Sequence, residues 1–332
     1  MRDPVALDLR LLNDYQRDFP LVSRPYAQIA TQLGLDESAV IAAYGEGLAR
    51  KVVSRIGAVV APRRIGASTL AAMTVPKHRL EAVATSVNAH AEVNHNYERE
   101  DEWNLWFVVT ARDAARRAEV LGELADETGL TVLSLPLIDE YHIDLGFDLY
   151  GAGGPRAERE GAAAAPCALP GIESALLAAL EDGLPLSPRP FADLGARAGI
   201  SEDMTLSVLE GWLRDGLLKR FGVVVRHREL GYTENAMCVW DVPDEQVVEL
   251  GRQLATVPGV TLCYRRERAL PHWPYNLYCM IHGKQRDDVL TLRAGLADRL
   301  GLDRFPHRIL FSRRCFKQCG ARYATGRDRQ TA

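Results

Sequence analysis

The sequence contains itself twice, and this internal repeat limits the chain to a duplicated architecture. The segment that begins at Phe19 (Phe-Pro-Leu-Val-Ser-Arg-Pro-Tyr) matches the one that begins at Leu184 (Leu-Pro-Leu-Ser-Pro-Arg-Pro-Phe), at an offset of 165 residues. The offset holds through Arg-Ile-Gly-Ala-Val-Val from Arg55 and Arg-Phe-Gly-Val-Val-Val from Arg220, and it widens to 172 residues by Asn104. A period this long predicts two copies of a whole domain pair, not a solenoid of short repeats.

The two copies are joined by a stretch rich in glycine, alanine and proline. That composition buries little apolar surface and indicates a flexible linker. The predicted boundaries are a winged helix-turn-helix at 1–66, a ferredoxin-like domain at 67–150, the linker at 151–171, a second winged helix-turn-helix at 172–231 and a second ferredoxin-like domain at 232–325.

Each copy has the residue pattern of a winged helix-turn-helix followed by a small sheet domain. Asp36 is a predicted N-cap for a helix over 37–51, Ser201 is its counterpart in the second copy, and the β-rich stretch 55–61 is a predicted wing. The patterns that follow fit β-α-β-β-α-β, the ferredoxin-like order. The sequence therefore predicts an α+β fold with two such modules. The resemblance of this arrangement to the Lrp/AsnC regulators, whose modules usually pair through their sheets, implies an intramolecular pseudo-dimer.

This architecture resembles the Lrp/AsnC transcription regulators, so a regulator, or a sensor that binds a tetrapyrrole without turnover, is one hypothesis. A recognition helix needs basic and amide side chains to contact DNA. Residues 37–50 carry two acids and one base, and residues 202–216 carry four acids and one base. Since the formal net charge is also -4, we expect no specific DNA binding, and we expect these helices to pack against neighbours.

Two segments are unusual for a regulator. Residues 94–107 read Asn-His-Asn-Tyr-Glu-Arg-Glu-Asp-Glu-Trp-Asn-Leu-Trp-Phe, and residues 264–278 read Tyr-Arg-Arg-Glu-Arg-Ala-Leu-Pro-His-Trp-Pro-Tyr-Asn-Leu-Tyr. They resemble the His-Asn-Tyr-x-Arg, Tyr-Asn-Leu-Trp-Phe and His-Trp-Pro-Tyr-Asn signatures of siroheme decarboxylases. The duplicated wing motif Arg-x-Gly-x-Val-Val and the segment 141–147 resemble the same family. The resemblance covers both halves, as in the fused form of that family.

The resemblance implies an activity. Siroheme would lose carbon dioxide from its C12 and C18 acetate groups to give 12,18-didecarboxysiroheme, in haem d1 synthesis or the alternative haem route. No cofactor and no separate metal site are expected, because the iron tetrapyrrole is the substrate. Each methylene must then take up a proton, for which histidine suits neutral pH. The carboxylates of siroheme call for arginine, and its flat ring calls for an aromatic slot.

His95 and His142 are the predicted catalytic residues, with His227 as a weaker candidate. Arg55 and Arg220 occupy matching wing positions and are expected to hold structure. The predicted substrate-binding residues are carboxylate-binding arginines and ring-lining side chains near the motifs: Arg63, Arg64, Tyr97, Arg99, Trp106, Arg226, Arg228, Tyr264, Arg265, Arg266 and His272.

The two halves are not chemically equivalent in sequence. His95 aligns near Leu262, and His142 aligns with Ser312. We therefore expect one productive site in the first half, with the second half as a scaffold or lid. A site in the second half around His272 is the alternative.

The remaining features point to an ordinary cytoplasmic protein. The six cysteines do not form a disulfide pattern, and no apolar stretch is long enough to span a membrane. The four-residue spacing of Cys315 and Cys319 is weak evidence for a metal, because no second pair accompanies it. Association with further copies, or with related decarboxylase subunits, stays open.

Overall fold

Each copy folds into a helix-turn-helix unit followed by a ferredoxin-like unit. The computed structural model describes residues 4–61, 63–143, 146, 149–150, 169 and 171–323. The first copy contains α1 (Pro4–Asn13), α2 (Pro25–Leu33), α3 (Glu37–Ala49), β1 (Val53–Val60), β2 (Ala67–Met73), α4 (Leu80–Ala89), β3 (Val93–Arg99), β4 (Leu105–Ala111), α5 (Ala114–Thr128) and β5 (Val132–Ile143). The second contains α6 (Ile172–Leu180), α7 (Pro190–Ala198), α8 (Glu202–Arg214), β6 (Leu218–Val225), β7 (Glu234–Trp240), α9 (Val247–Ala255), β8 (Val260–Arg266), β9 (Leu277–Gly283), α10 (Arg286–Leu300) and β10 (His307–Gln318).

The predicted α+β class, with the ferredoxin-like order in each copy, is confirmed. Nearly all of the predicted linker 151–171 lies outside the described residues, as does most of 144–148.

Only one of the two predicted N-caps makes its hydrogen bond. The Ser201 hydroxyl accepts a bond from the Met204 amide at 3.2 Å, at the start of α8. Asp36 occupies the same position before α3, but its carboxylate caps no amide. The reason is local, because the Ala39 amide already donates to the main-chain carbonyl of Asp36 at 3.1 Å. The predicted side-chain cap at Asp36 is therefore wrong.

The two four-stranded sheets join at both edges and close into one eight-stranded barrel, in the order β10-β3-β4-β2-β5-β8-β9-β7. The last strand of each copy is twelve residues long. Its first part pairs with its own copy, while its second part pairs with the other copy, β5 with β8 and β10 with β3. The predicted pairing of the halves as a pseudo-dimer is thus confirmed.

Alternation along the strands separates a helix-covered face from the barrel interior. On β4, Phe107 packs in the apolar cluster under α4 and α5, whereas Trp106 packs in the cluster inside the barrel. There Trp106 lies edge-to-face against Trp273, with ring centroids 5.0 Å apart. The Trp273 indole N–H donates to the Tyr278 hydroxyl at 2.7 Å. This aromatic cluster fills one end of the barrel.

The two predicted wings pair with each other. Strands β1 and β6 form an antiparallel two-stranded sheet in which Gly57 faces Gly222. Helices α1 to α3 and α6 to α8 pack around this sheet in a single apolar core that draws on both copies. The expectation that the helix-turn-helix units pack against neighbours is confirmed.

The glycine of the second wing motif is required by a close approach. A Cβ atom on Gly222 would collide with the main-chain oxygens of Tyr15 and Gln16. The neighbouring Arg220 donates to the carbonyls of Gln16 and Val223. This part of the motif therefore holds the wing against the end of α1.

Candidate functional site

A cavity of about 430 Å³ lies between the inside of the barrel and the wing sheet. Its walls come from both halves: β1 to β4 and the end of β5 from the first, α6 and β6 to β10 from the second, and residues 319–321 and 323. The volume falls within the range of small-molecule and cofactor sites. Because the barrel closes around it, this cavity belongs to neither half alone.

Two matched Tyr–Arg pairs line the cavity, one on β3 and one on β8. The Arg99 guanidinium lies 5.9 Å from the ring centroid of Tyr97, and that of Arg266 lies 4.8 Å from the ring of Tyr264. Each arginine donates to a main-chain carbonyl in the last strand of the opposite half. These bonds join Arg99 Nη1 to Leu310 O at 3.1 Å and Arg266 Nη1 to Leu135 O at 2.9 Å.

Each of these two arginines has a buried N–H donor for which the described residues provide no acceptor. The Nε atoms of Arg99 and Arg266 are buried and have no hydrogen-bond partner among the described residues. Burial lowers the pKa of Arg99 to about 10, which still leaves it charged at neutral pH. An unpaired buried donor is costly, so an anion that accepts from it would be bound favourably.

Three further cations stand in the cavity wall, namely Arg55, Arg63 and Lys219. Arg63 donates to the Ile138 carbonyl. Lys219 forms an ion pair with Glu140, and burial lowers its pKa to about 8. Among the described lining residues, Glu181 is the one acidic residue. The lining is therefore strongly cationic and suits a ligand with several carboxylates.

Three histidines line the same cavity: His95 on β3, His227 after β6 and His282 on β9. Burial, helped by the Arg55 charge, lowers the pKa of His95 to about 4. Burial and the Arg228 charge lower the pKa of His227 to about 4, and burial lowers that of His282 well below its usual value. All three rings are therefore neutral at pH 7. The rings of His227 and His282 lie 4.7 Å apart, edge to face.

The structure brings seven of the thirteen predicted site residues to this cavity and leaves six outside its lining. The lining residues are His95, Arg63, Tyr97, Arg99, Trp106, Tyr264 and Arg266. The residues outside the lining are His142, Arg64, Arg226, Arg228, Arg265 and His272. No ligand marks the roles of either group, which stay predictions.

The residues of the predicted second-half site are separated from the cavity. Arg265 donates to Asp244 at 2.9 Å on the outside of the barrel. His272 is exposed and lies beside Trp103, with ring centroids 6.3 Å apart, next to the aromatic cluster at one end of the barrel. A site built around His272 is therefore not supported by the arrangement.

The other four are each adjacent in sequence to a residue that lines the cavity. Arg64 donates to the Asp215 carbonyl at 3.2 Å. Arg228 donates at 3.3 Å to the hydroxyl of Ser312, a lining residue, and so stands directly behind the wall. Arg226 also follows β6. The positive charges of Arg226 and Arg228 both act on the Cys315 thiol. His142 lies near the end of β5, next to a residue that lines the cavity.

The topology also corrects one alignment. Strands β5 and β10 have equal length and equivalent pairing, starting from Val132 and His307. His142 therefore corresponds to Lys317 and not to Ser312. The productive site in the first half stays a prediction, and the cavity that His95 lines is built by both halves.

Sequence reasoning underrated three lining residues. His282 lies near the end of the apolar strand β9 with no motif around it, and Lys219 immediately precedes the second wing motif. Arg55 was expected to hold structure, and it does donate to the Ala58 carbonyl at 3.1 Å. It also lines the cavity, unlike its counterpart Arg220. Ser54 is the counterpart of Lys219, so comparison of the two wing motifs gave no signal for that lysine.

One family-like motif proves to be structural. Asn104 accepts from the Val75 amide at 2.9 Å and donates to the Val75 carbonyl at 2.8 Å. Asn276 makes the same two bonds to Val242, each at 2.9 Å. The two asparagines therefore fix the chain at the end of the first strand of each ferredoxin-like unit.

Within the part of the chain that the structure describes, no cluster of three or more His, Cys, Asp or Glu side chains is placed to hold a metal ion. The described helices also include none that is long and apolar enough to cross a membrane.

The fold and the cavity together define a fused AsnC-like pseudo-dimer with a cationic binding barrel. Residues 64–142 and 229–317 match the AsnC-like ligand binding domain, and residues 8–53 and 173–218 match the siroheme decarboxylase NirDL-like HTH domain. The chain is 47% identical over 321 residues to the siroheme decarboxylase NirDL subunit of Paracoccus denitrificans, covering 96% of this chain and 97% of that one. It is 30% identical to a siroheme decarboxylase of Hydrogenobacter thermophilus, covering 95% and 94% of the two chains. The chain belongs to the siroheme decarboxylase family.

A solved structure of the siroheme decarboxylase NirDL matches with a TM-score of 0.70 and 27% identity, covering 97% of this chain and 96% of that one. A second, in co-complex with an iron-uroporphyrin III analogue, matches with a TM-score of 0.69 and 25% identity, covering 99% and 97%. The predicted family and the enzyme hypothesis are confirmed, and the regulator hypothesis is not favoured.

Proposed function

We propose that this chain decarboxylates the C12 and C18 acetate groups of siroheme, giving 12,18-didecarboxysiroheme for haem d1 synthesis. The observation that carries the proposal is the cavity, whose described lining holds five cations, three neutral histidines and one acid, Glu181. A polyanionic macrocycle fits this lining, and the solved relative in complex with an iron-uroporphyrin III analogue binds a ligand of that class.

Binding rests on two kinds of contact. Tyr97, Tyr264 and Trp106 offer aromatic surface to the flat ring. Arg99 and Arg266 offer buried donors to carboxylates from opposite sides of the cavity. Their matched placement suits a macrocycle that carries acidic groups around its whole edge.

Each decarboxylation consumes one proton and needs no oxidant. The bond between the acetate methylene and its carboxylate breaks, carbon dioxide leaves, and the electron pair stays on the methylene in conjugation with the macrocycle. A new C–H bond then forms, so that R–CH₂–COO⁻ plus H⁺ gives R–CH₃ plus CO₂. The protein's task is to hold the ring, exclude water and deliver that proton.

His95 remains the predicted proton donor from the first half, and the cavity adds His227 and His282 from the second. All three are neutral before substrate arrives, with pKa values lowered by burial and by neighbouring cations. The carboxylates of a bound substrate would offset those cations and raise the histidine pKa values. We infer that substrate binding favours the protonated form of the histidines that then donate the protons. The catalytic role of His142 stays a prediction.

The direct test is anaerobic incubation of the purified protein with siroheme, followed by mass spectrometry of the tetrapyrrole. We expect the loss of two carbon dioxide masses. His78→Ala, which alters an exposed histidine in the turn before α4, is the matched control and should react like the unchanged protein. Siroheme that is bound but recovered unchanged would refute the activity.

Assembly is the second part of the proposal. Relatives named as separate NirD and NirL subunits each match about half of this chain, at 47% and 50% identity. We infer that one chain supplies both halves of one site. Association with further copies or with related subunits stays a prediction, which the molar mass in solution would test.

A further inference from the structure

Two equivalent positions, one in each half, hold a cavity histidine. Asn94 is the second residue of β3, and Thr261 is the second residue of β8. Asn94 is hydrogen-bonded to Nδ1 of His95, and Thr261 is hydrogen-bonded to Nδ1 of His282. Both polar side chains also line the cavity. The residue types differ between the halves, while the atom that they engage is the same.

The hydrogen bonds in the first half have a definite direction. The Thr110 hydroxyl donates to Ser68 Oγ at 3.3 Å, so Thr110 Oγ1 must accept the bond from Asn94 Nδ2 at 3.0 Å. The amide orientation of Asn94 is then fixed, and its Oδ1 faces His95 Nδ1 at 2.8 Å. An amide oxygen only accepts, so the proton of that bond belongs to Nδ1 of His95.

The second half reaches the same result with a hydroxyl. Thr261 Oγ1 donates its single proton to the Met280 carbonyl at 3.1 Å. While that bond is formed, the 2.7 Å bond between Thr261 Oγ1 and His282 Nδ1 is one that the ring donates. His282 is thus also held with its proton on Nδ1.

We propose that Asn94 and Thr261 are positioning residues that lock His95 and His282 as Nδ1–H tautomers, so that Nε2 of each ring is the atom that takes up and delivers the reaction's proton. In the neutral ring, Nε2 is the unprotonated nitrogen. A proton gained there from solvent forms an N–H bond, which breaks when the proton passes to the methylene carbon and forms the new C–H bond. The tautomer assignment stands on the hydrogen bonds alone, whereas its catalytic consequence rests on the proposed decarboxylation.

The tautomers can be read without any turnover. In protein labelled with ¹⁵N-histidine, the ring nitrogen shifts distinguish protonated from unprotonated nitrogen, and His95→Gln and His282→Gln assign the two signals. We expect both rings as Nδ1–H forms in the unliganded protein at pH 7. Thr261→Val, which keeps the shape but removes the hydroxyl, should shift the His282 signals alone, and Thr261→Ser should restore them.

Turnover then tests the catalytic part. Thr261→Val should lower kcat about 10-fold and leave KM within about 2-fold, which is the usual scale for losing a group that orients a functional histidine. Thr261→Ser should recover kcat. In the first half, Asn94→Leu should lower kcat similarly, and Asn94→Asp, which keeps an acceptor for Nδ1–H, should recover at least part of it.

The outcomes separate the two claims. Nε2–H tautomers in the unchanged protein, or His282 signals that do not respond in folded Thr261→Val, would overturn the positioning role. A changed tautomer with unchanged kcat would overturn its catalytic consequence. Correct tautomers in a protein that leaves siroheme intact would instead refute the proposed function and leave the tautomer assignment standing.

Discussion

The two halves of the barrel share a backbone plan but differ in the chemistry that they present to the cavity. Tyr97 and Arg99 on β3 recur at equivalent positions as Tyr264 and Arg266 on β8, with equivalent hydrogen bonds to the opposite half. The histidines do not recur, because the position of His95 is Leu262 in the second half. Duplication has therefore kept the contacts suited to a ring with carboxylates on both sides and changed the groups suited to moving protons.

The wings differ in the same way. Arg220 is committed to the carbonyls of Gln16 and Val223, behind the wall. Arg55, at the matching position, makes one such bond and lines the cavity beside the C-terminal stretch that includes Gly320. One copy of the motif thus serves structure alone, and the other also adds a cation to the site.

The largest effects should come from the histidines, where the halves differ most. His95→Gln and His282→Gln should each lower kcat about 100-fold or more, since each removes a proton-transfer group. His272→Ala, which alters the exposed histidine at the filled end of the barrel, should stay within about 2-fold. Single-turnover decarboxylation measures all three. Loss confined to one of the two glutamine variants would show that a single half supplies the proton for both acetates.

The arginines should behave alike, because their surroundings match. Arg99→Leu and Arg266→Leu should each weaken siroheme binding about 10- to 100-fold, the scale of losing a charge-assisted hydrogen bond. Absorption titration of the bound tetrapyrrole gives the affinities, with exposed Arg112→Leu as the control. Strongly unequal losses would break the symmetry and place the macrocycle nearer one half.

Asn276 and Asn104 should differ in how much they contribute to stability, because Asn276 is the more buried of the two. Asn276→Ala removes two main-chain bonds from a residue that is 1% exposed, and we expect it to lower the free energy of unfolding by about 2–3 kcal/mol. Asn104→Ala removes the same bonds at a more exposed position, so about 1–2 kcal/mol is expected. Urea denaturation followed by circular dichroism compares them. Equal losses would mean that solvent does not reach Asn104.

The smallest contrast lies at the helix N-termini. Ser201→Ala should cost about 1 kcal/mol, because it removes a formed cap. Asp36→Ala should cost only a few tenths of a kcal/mol, about what the charge of Asp36 contributes near the positive end of the helix dipole. The same denaturation assay applies. An equal cost would show that Asp36 caps α3 in solution.

The fold was predictable because the sequence patterns that define its helices and strands are local and occur in both copies. The helix predicted over 37–51 and the wing predicted over 55–61 lie within two residues of the observed α3 and β1. The Asn-His-Asn-Tyr-x-Arg segment likewise brought His95, Tyr97 and Arg99 forward, because one strand carries all three.

The assembled site was less predictable, because barrel closure is a long-range event. It joins β5 to β8 and β10 to β3, so residues far apart in sequence share one wall. His282 gave no signal, since its counterpart is Thr110 and comparison of the copies could not reveal it. Arg63 and Arg64 are adjacent in sequence, but their side chains take different partners. Arg63 has a left-handed backbone with φ of 62° and donates to the Ile138 carbonyl, whereas Arg64 donates to the Asp215 carbonyl.

Closure of the barrel has a consequence for how such a protein is made. The described strands of the barrel leave no free edge, because each copy's outer strands are covered by the other copy. A lone half would expose two unpaired edges and invite aggregation. Two identical halves could close a barrel, but they would carry only one of the two histidine sets. Translating both copies as one polypeptide fixes their ratio at one to one and makes their encounter independent of dilution.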